Sequence, residues 1–275
     1  MDPATIGGIV VAFGALLTMA FLEGASPMAL IIPAPMILVF GGAIGVGIAS
    51  ATIPDVMIAV KALPKAFLYK GVKLTKDIDQ LVELAEVARK DGLLALEAKA
   101  ADIKDPFLKK ALQNVADGMD ADELRIMMED EAAAKEKTGR SAAKFYNSLG
   151  GFAPTVGIIG TVVSLTHVLE NLNDPSSLGH SIAGAFVATL WGVMSANFIW
   201  LPIGGRIGRM TDLESERVTL VIEGVLAVQS GAQPRVLGDK LLAMVPESQQ
   251  GKSAAKAGAK GGKPAKAGKT AEAAA

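Results

Sequence analysis

The sequence predicts an all-α fold: a polytopic membrane protein with four transmembrane helices and a helical cytoplasmic domain between the second and third. Three observations predict it. Every Lys and Arg lies either between Lys61 and Lys144 or from Arg206 onward, so the stretches 1–60 and 145–205 carry none. A soluble protein spreads charge over its surface, whereas a membrane protein gathers basic residues in cytoplasmic segments. Each of these stretches without basic residues also holds two apolar runs long enough, at about 1.5 Å per helical residue, to approach the ~30 Å of a hydrocarbon core. Between them, the charged segment repeats its apolar residues at three- and four-residue steps, the period of a helix.

Ile6 to Leu22 is the first run, closed by Glu23-Gly24 and Pro27. Met28 to Ile53 is the second, with Pro33 and Pro35 suited to a helix start, where a missing N–H costs nothing. Gly41, Gly42, Gly45 and Ala49 give it small residues at helical spacing, read either as a close-packing face or as a merely flexible helix. Phe152 to Gly208 is a hairpin of the third and fourth runs around a short polar turn. The loops near Glu23 and from Asn171 to His180 lack Lys and Arg and are expected outside; the basic segments and both termini are expected in the cytoplasm. The chain thus divides into residues 1–54 (two transmembrane helices and a short external loop), 55–146 (cytoplasmic helical domain), 147–208 (the hairpin), 209–247 (C-terminal helices) and 248–275. That last stretch is a Lys/Ala/Gly tail without apolar residues to bury, read as disordered.

In the cytoplasmic domain, Lys61, Lys65, Lys70, Lys73 and Lys76 alternate with apolar residues, as in an interfacial helix on anionic lipid or a plain positive flank. Ile78, Leu81, Ala85 and Ala88 mark a helix interrupted at Gly92, and a second runs from Asp105-Pro106 to Gly118. A third begins at Asp120, with Glu123 in a capping-box position, and is expected to feed the third transmembrane helix. The insert is expected to be too small and too charged for a large core of its own. Met210 to Ser230 is predicted as a separate amphipathic helix, and residues 231–245 as a turn and a short helix.

Composition narrows the chemistry. There is no cysteine and there are only two histidines, His167 and His180, so thiolate or histidine metal sites and disulfides are not expected. No nucleophile–base pair or phosphate loop is present, and neither an enzyme, a cofactor nor a nucleic-acid partner is expected. The hairpin instead offers a polar seam. Pro154, Ile158, Thr161 and Leu165 step by four, three and four along one helical face. Ala185, Thr189, Gly192 and Ala196 form a second face of small residues, fit for close packing of a partner helix. The threonines either face a translocated cation or bond back to their own helix carbonyls. No acid lies inside a run, since Glu23 and Glu170 stand at the ends. Membrane ion paths ordinarily hold an ionisable group, so a conducting complex would take its carboxylate from another chain. His167, near the outer end, reads as an interfacial residue rather than a proton relay.

Several stretches together resemble the flagellar motor stator proteins of the MotA and PomA type, in a superfamily with ExbB and TolQ. They are FAPTVGIIGT (152–161), NLNDPSSLGHSI (171–182), FVATLWGVMSANFIWLP (186–202), ARKDGLLALE (88–97) and IEGVLAVQSGAQPRVLGDKL (222–241). The resemblance implies a ring of five subunits in the bacterial cytoplasmic membrane around two copies of a MotB-like single-span partner whose aspartate carries the ion. It implies that Pro154 and Pro202 are channel prolines and that Thr161 and Thr189 face that aspartate. It further implies that Arg89, Lys90 and Glu97 engage the flagellar rotor switch protein, of the FliG type. Sodium-type relatives commonly have Thr-Thr where this chain has Ala188-Thr189, while some proton-type relatives lack a hydroxyl at the position of Thr161. Protons are the expected cation and sodium the alternative. A proton-driven ExbB- or TolQ-like subunit acting on the cell envelope is the alternative function.

Overall fold

The computed structural model describes residues 4–69, 71–170, 175–246 and 250, and every regular element among them is a helix. In chain order these are α1 (Ala4–Leu22), a 3-10 turn (Pro27–Leu30), α2 (Pro33–Ala49), α3 (Ile53–Leu68) and α4 (Leu74–Asp91). Then come α5 (Ala95–Asp102), α6 (Pro106–Ala116), α7 (Ala121–Glu170), α8 (Pro175–Ser195), a π turn (Ala196–Trp200), α9 (Leu201–Gln229) and α10 (Pro234–Ala243). The expected disordered tail and the hairpin's turn at 171–174 lie outside the described residues, Gln250 apart. Among the described residues, three helices suffice by length and composition to cross a membrane: α1, α7, and the run of α8, π turn and α9 from Leu178 to Gln229. The apolar α2 is shorter, at 17 residues.

The chain separates into two compact units, Met1–Val72 with Asp130–Glu216, and Lys73–Glu129 with Arg217–Ala275. In the first, α2 lays Pro35, Val39, Ala43 and Gly47, four residues apart, against the hairpin. A Cβ at Gly42 would meet Val156 at 2.8 Å, and one at Gly47 would collide with Leu149. Close packing of α2 therefore runs through Gly42, Ala43 and Gly47; the expected Gly41 and Gly45 look onto open space. The prolines begin α2 as predicted, and the 3-10 turn takes up Met28 to Leu30. Thr52 caps α3 by accepting from the Asp55 amide at 3.4 Å. Ser141 (2.5 Å) and Thr52 (2.6 Å) donate to the Asp55 carboxylate and hold it below the usual carboxylate range. Tyr146 donates to the Ala59 carbonyl at 3.0 Å and ties α3 to α7.

In the second unit, α4, α5, α6 and α10 enclose Leu81, Leu96, Leu108, Leu112, Leu237 and Leu241, all essentially inaccessible. Leu124 and Leu220, from the ends of α7 and α9 that belong to this unit, are buried with them. The insert does not build this core alone: the C-terminal segment completes it, with Gly224 of α9 fitting over Leu81 and Gly238 of α10 over Val82. Arg217 of α9 binds both oxygens of Asp77, in the first turn of α4, at 2.8 and 3.3 Å, and also Asp105, the N-cap of α6. Burial opposes its charge, but the two carboxylates outweigh that and push the guanidinium pKa up. Arg125 (2.9 Å) and Lys240 (3.0 Å) likewise hold the Glu223 carboxyl below its ordinary value.

Two further expectations change. A helix at Ala95–Asp102 stands where the sequence showed only an interruption. The predicted separate helix from Met210 is instead the continuation of α9, unbroken from Leu201. Gly204 and Gly208 do not stop it, because their missing side chains let α9 lie directly on Ala143 and Asn147 of α7. The third predicted helix does feed the hairpin without a break, as α7, with Asp120 accepting from the Asp122 amide at 2.9 Å.

Candidate functional site

The hairpin closes at a crossing of two glycines. A Cβ at Gly157 of α7 would stand 2.8 Å from the Ala188 carbonyl oxygen and 3.1 Å from Gly192 Cα. One at Gly192 of α8 would stand 2.9 Å from the Ala153 carbonyl oxygen and 3.0 Å from Gly157 Cα. Backbone thus touches backbone, the close approach that small residues permit between helices in lipid. Gly160 presses on Ala188 and Leu38 in the same way.

One turn beyond Gly157, this approach brings Thr161 Oγ1 to 2.5 Å from Thr189 Oγ1. Thr161 also lies 3.1 Å from the Gly157 carbonyl of its own helix and 3.1 Å from the Ala185 carbonyl of α8. A hydroxyl has one proton and two lone pairs. If Thr161 donates to a carbonyl, Thr189 donates to Thr161, and the two hydroxyls form a chain whose outer lone pairs sit on Thr189. Both residues are half-buried. Of the alternatives left by the sequence, the bond back to its own helix is present at Thr161, which also meets its counterpart on α8.

Ala185, Gly192 and Ala196 are buried within this chain, Gly192 on α7 and Ala196 with Ala43 and Ala153. Pro154 lies inside α7, one turn before Ile158 and two before Thr161, and is half-buried. Pro202 follows the π turn, in which the Leu201 amide reaches back five residues to the Ala196 carbonyl. A proline offers no N–H and its ring crowds the carbonyl four residues earlier; widening the turn relieves that clash. A Cβ at Gly150 would meet Leu201 at 2.6 Å, so both prolines stand at the same end of the hairpin, below the glycine crossing.

Three features escaped the sequence reading. Trp191 Nε1 donates to the Leu30 carbonyl at 2.7 Å and ties α8 to the turn before α2. Phe40 stacks near both Trp191 and Trp200, at 5.6 and 6.3 Å between ring centres. The π turn had no sequence signal other than Pro202 itself. His167 is exposed at the end of α7, its Nδ1 4.0 Å from Glu170.

Arg89, Lys90 and Glu97 belong to the second unit, the hydroxyl pair to the first. Arg89 and Lys90 occupy the last turn of α4, and Glu97 the first turn of α5, on either side of Gly92 with φ +85°. Each sign suits its helix end, where the backbone dipole favours cations at the C-terminus and anions at the N-terminus. All three side chains are exposed, and among the described residues none makes an ion pair. The nearby Lys99–Glu83 pair, at 3.3 Å, braces α5 against α4.

Comparison with known proteins agrees with this geometry. The model of the MotA/TolQ/ExbB proton channel family matches residues 99–219. Motility protein A of Bacillus subtilis (strain 168) is 34% identical over 267 residues, which cover 95% of this chain and 97% of the relative. The solved structure of C. jejuni MotAB is similar with a TM-score of 0.86 and 31% identity, over 90% of this chain and 97% of that one. The flagellar MotAB stator complex from Bacillus subtilis is similar with a TM-score of 0.82 and 34% identity, over 92% of this chain and 100% of that one. An all-helical chain with long apolar helices, a hairpin of two uncharged apolar runs and likeness along nearly its whole length to motility protein A belongs to the MotA/TolQ/ExbB proton channel family, among its flagellar stator members.

Proposed function

We propose that this chain is the MotA-type subunit of a flagellar motor stator, which with a MotB-like partner couples cation flow to torque on the rotor. The observation that carries the reading is the Thr161–Thr189 hydroxyl pair, held by a glycine crossing in a hairpin whose two apolar runs contain no acid. Such a pair offers lone pairs to a protonated carboxyl but has no ionisable group of its own, so the partner's membrane aspartate completes the path. Pro154 and Pro202 shape the hairpin at the end nearer the charged segments. The assembly is a ring of five copies around two partner helices.

The cation is the proton. Two oxygens 2.5 Å apart, with two carbonyls also near Thr161, leave no gap between them for a dehydrated metal ion. Four crossings with both termini in the cytoplasm fit the packing inside the first unit. The start of α2 meets the hairpin at Gly184 and its end at Leu149, so α2 traverses the same depth as the hairpin despite its length. Rotor contact falls to Arg89, Lys90 and Glu97, since exposed charges suit a repeated, transient encounter. One charge crossing 100 mV releases about 2.3 kcal/mol, enough to bias a small conformational step and requiring many of them.

The test is Thr161→Val together with Thr189→Val, a near-isosteric change that removes both hydroxyls. Motility and proton flux through the co-expressed complex should fall together while the complex still purifies intact. Retention of both would overturn the ion-path assignment, and dependence of swimming on sodium concentration at fixed membrane potential would overturn the choice of cation.

A further inference from the structure

The connection between α4 and α5 presents an apolar side chain among the charges proposed for the rotor contact. Leu94 leaves 75% of its surface exposed, more than any other large apolar side chain described in the second unit. Leu96, two residues on, is fully buried, as is Ala100 one turn further. Residues two apart on a helix point about 200° from each other, so α5 could not turn Leu94 inward without turning Leu96 out. The leucines of GLLALE look alike in the sequence, but the fold packs Leu96 and leaves Leu94 outside.

This exposure is not that of a loose segment. Gly92, at φ +85°, closes α4 by donating to the Ala88 carbonyl at 3.0 Å. The amides of Ala95, Leu96 and Glu97 then donate to the carbonyls of Gly92, Leu93 and Leu94 at 3.2, 3.0 and 3.2 Å. Leu94 thus stands on an ordered turn, and a contact made through it has little backbone left to order. Arg89 and Lys90 precede it in the chain and Glu97 follows, all exposed. Lys99, the one cation of α5, is engaged with Glu83 of α4 at 3.3 Å.

Resting on the rotor contact proposed above, we propose that Leu94 is the apolar anchor of that contact. It would sit in an apolar pocket of the rotor switch protein, bordered by a carboxylate toward Arg89 and Lys90 and by a cation toward Glu97. Exposed ion pairs contribute little in water and are screened by salt. Interfaces instead concentrate their affinity in a few desolvated anchors ringed by polar contacts. One leucine is a small anchor, suited to a grip that holds under load and still releases, while the charges set approach and register. An anionic bilayer does not fit the same surface, because Asp91, Glu97 and Asp102 are exposed along this connection and would be repelled.

The test compares Leu94→Ser, Leu94→Met and Val236→Ser in the full complex with its MotB-like partner. Torque per complex is read from the stepwise rises in speed of a flagellum-attached bead as complexes join the motor. Leu94→Ser should lower the step at high load about threefold, whereas Leu94→Met keeps the apolar volume and should stay near the wild type. Val236→Ser removes another exposed apolar side chain of the same unit, 58% exposed on α10, and should change nothing. Native mass spectrometry should find the same ring mass in all three. Unchanged steps in Leu94→Ser overturn the proposal; the rotor reading itself survives that result if Arg89→Glu with Glu97→Arg still abolishes swimming. Reduced steps in Leu94→Ser beside normal swimming of the charge-reversed complex would uphold the anchor and remove the charges. Equal losses in Leu94→Ser and Val236→Ser, or in Leu94→Ser and Leu94→Met, overturn the proposal. So does a ring that falls apart in Leu94→Ser, since the leucine would then join copies of this chain.

Discussion

Gly157→Ala tests the crossing on which the hydroxyl pair depends. The new methyl would stand 2.8 Å from the Ala188 carbonyl oxygen and 3.1 Å from Gly192 Cα, where carbon contacts are ordinarily about 3.5–4.0 Å. Both neighbours are backbone, so no rotamer change makes room and the helices must part by roughly half an ångström to one ångström. Overpacking of this kind costs about 1–3 kcal/mol, and the higher helix propensity of alanine returns about 1 kcal/mol. A net loss of up to about 2 kcal/mol is expected, with a looser Thr161–Thr189 contact one turn away. Gly151→Ala, in the same helix, is the matched control: its Cβ meets nothing within 4 Å, so only the propensity gain of about 0.5–1 kcal/mol applies. Thermal unfolding of the purified complex, followed by fluorescence of the chain's two tryptophans, should move down for the first variant and up or not at all for the second. Equal shifts, or an unmoved Gly157→Ala protein that swims normally, would refute the backbone contact.

Other outcomes follow from the same geometry. Arg89→Glu with Glu97→Arg should abolish swimming while the complex assembles at normal yield; unchanged swimming would remove the rotor assignment. Arg217→Met leaves Asp77 and Asp105 facing each other without their cation and should destabilise the second unit by about 3 kcal/mol, read as faster proteolysis within residues 73–129. Trp191→Phe keeps the ring contact with Phe40 but strands the Leu30 carbonyl, at a cost of about 1–2 kcal/mol in the melting of the complex. Glu223 has its carboxyl pKa lowered by Arg125 and Lys240. Its contribution is therefore complete above the unfolded value of about 4.3 and is lost as pH falls through the lower folded value. Glu223→Gln should flatten that acid limb in a stability profile against pH.

Much of the first unit was legible because a bilayer imposes strong rules. Absence of Lys and Arg from 145–205 located the hairpin, and four-three-four spacing placed Thr161 and Thr189 on facing sides. Which glycines carry the packing was not legible. Gly41 and Gly42 are adjacent, as are Gly150 and Gly151, yet only one of each pair has a neighbour within contact distance. That choice depends on the rotation of one helix against another, and a single sequence does not report it. The shared core of the second unit was hidden for a different reason. Its core joins Leu81 and Leu96 to Leu220, Leu237 and Leu241, residues separated by the whole hairpin, so neither segment shows enough apolar surface alone. The Arg217–Asp77–Asp105 cluster is hidden by the same separation. At Arg89, Lys90 and Glu97 the structure adds only that they sit exposed on helix ends.

The π turn has a consequence for how this helix varies in length. Such a turn holds one residue more than an α turn while leaving the segments on either side in phase. Deleting one residue from 196–200 would close it into ordinary helix, with Ile203 and Ile207 still facing inward, where they are 5% and 4% exposed. The same deletion elsewhere in α8 or α9 would rotate everything beyond it by about 100° and turn both isoleucines outward. The ring of Pro202 would then press on the tightened turn, so loss of the extra residue and loss of the proline belong together as one evolutionary step.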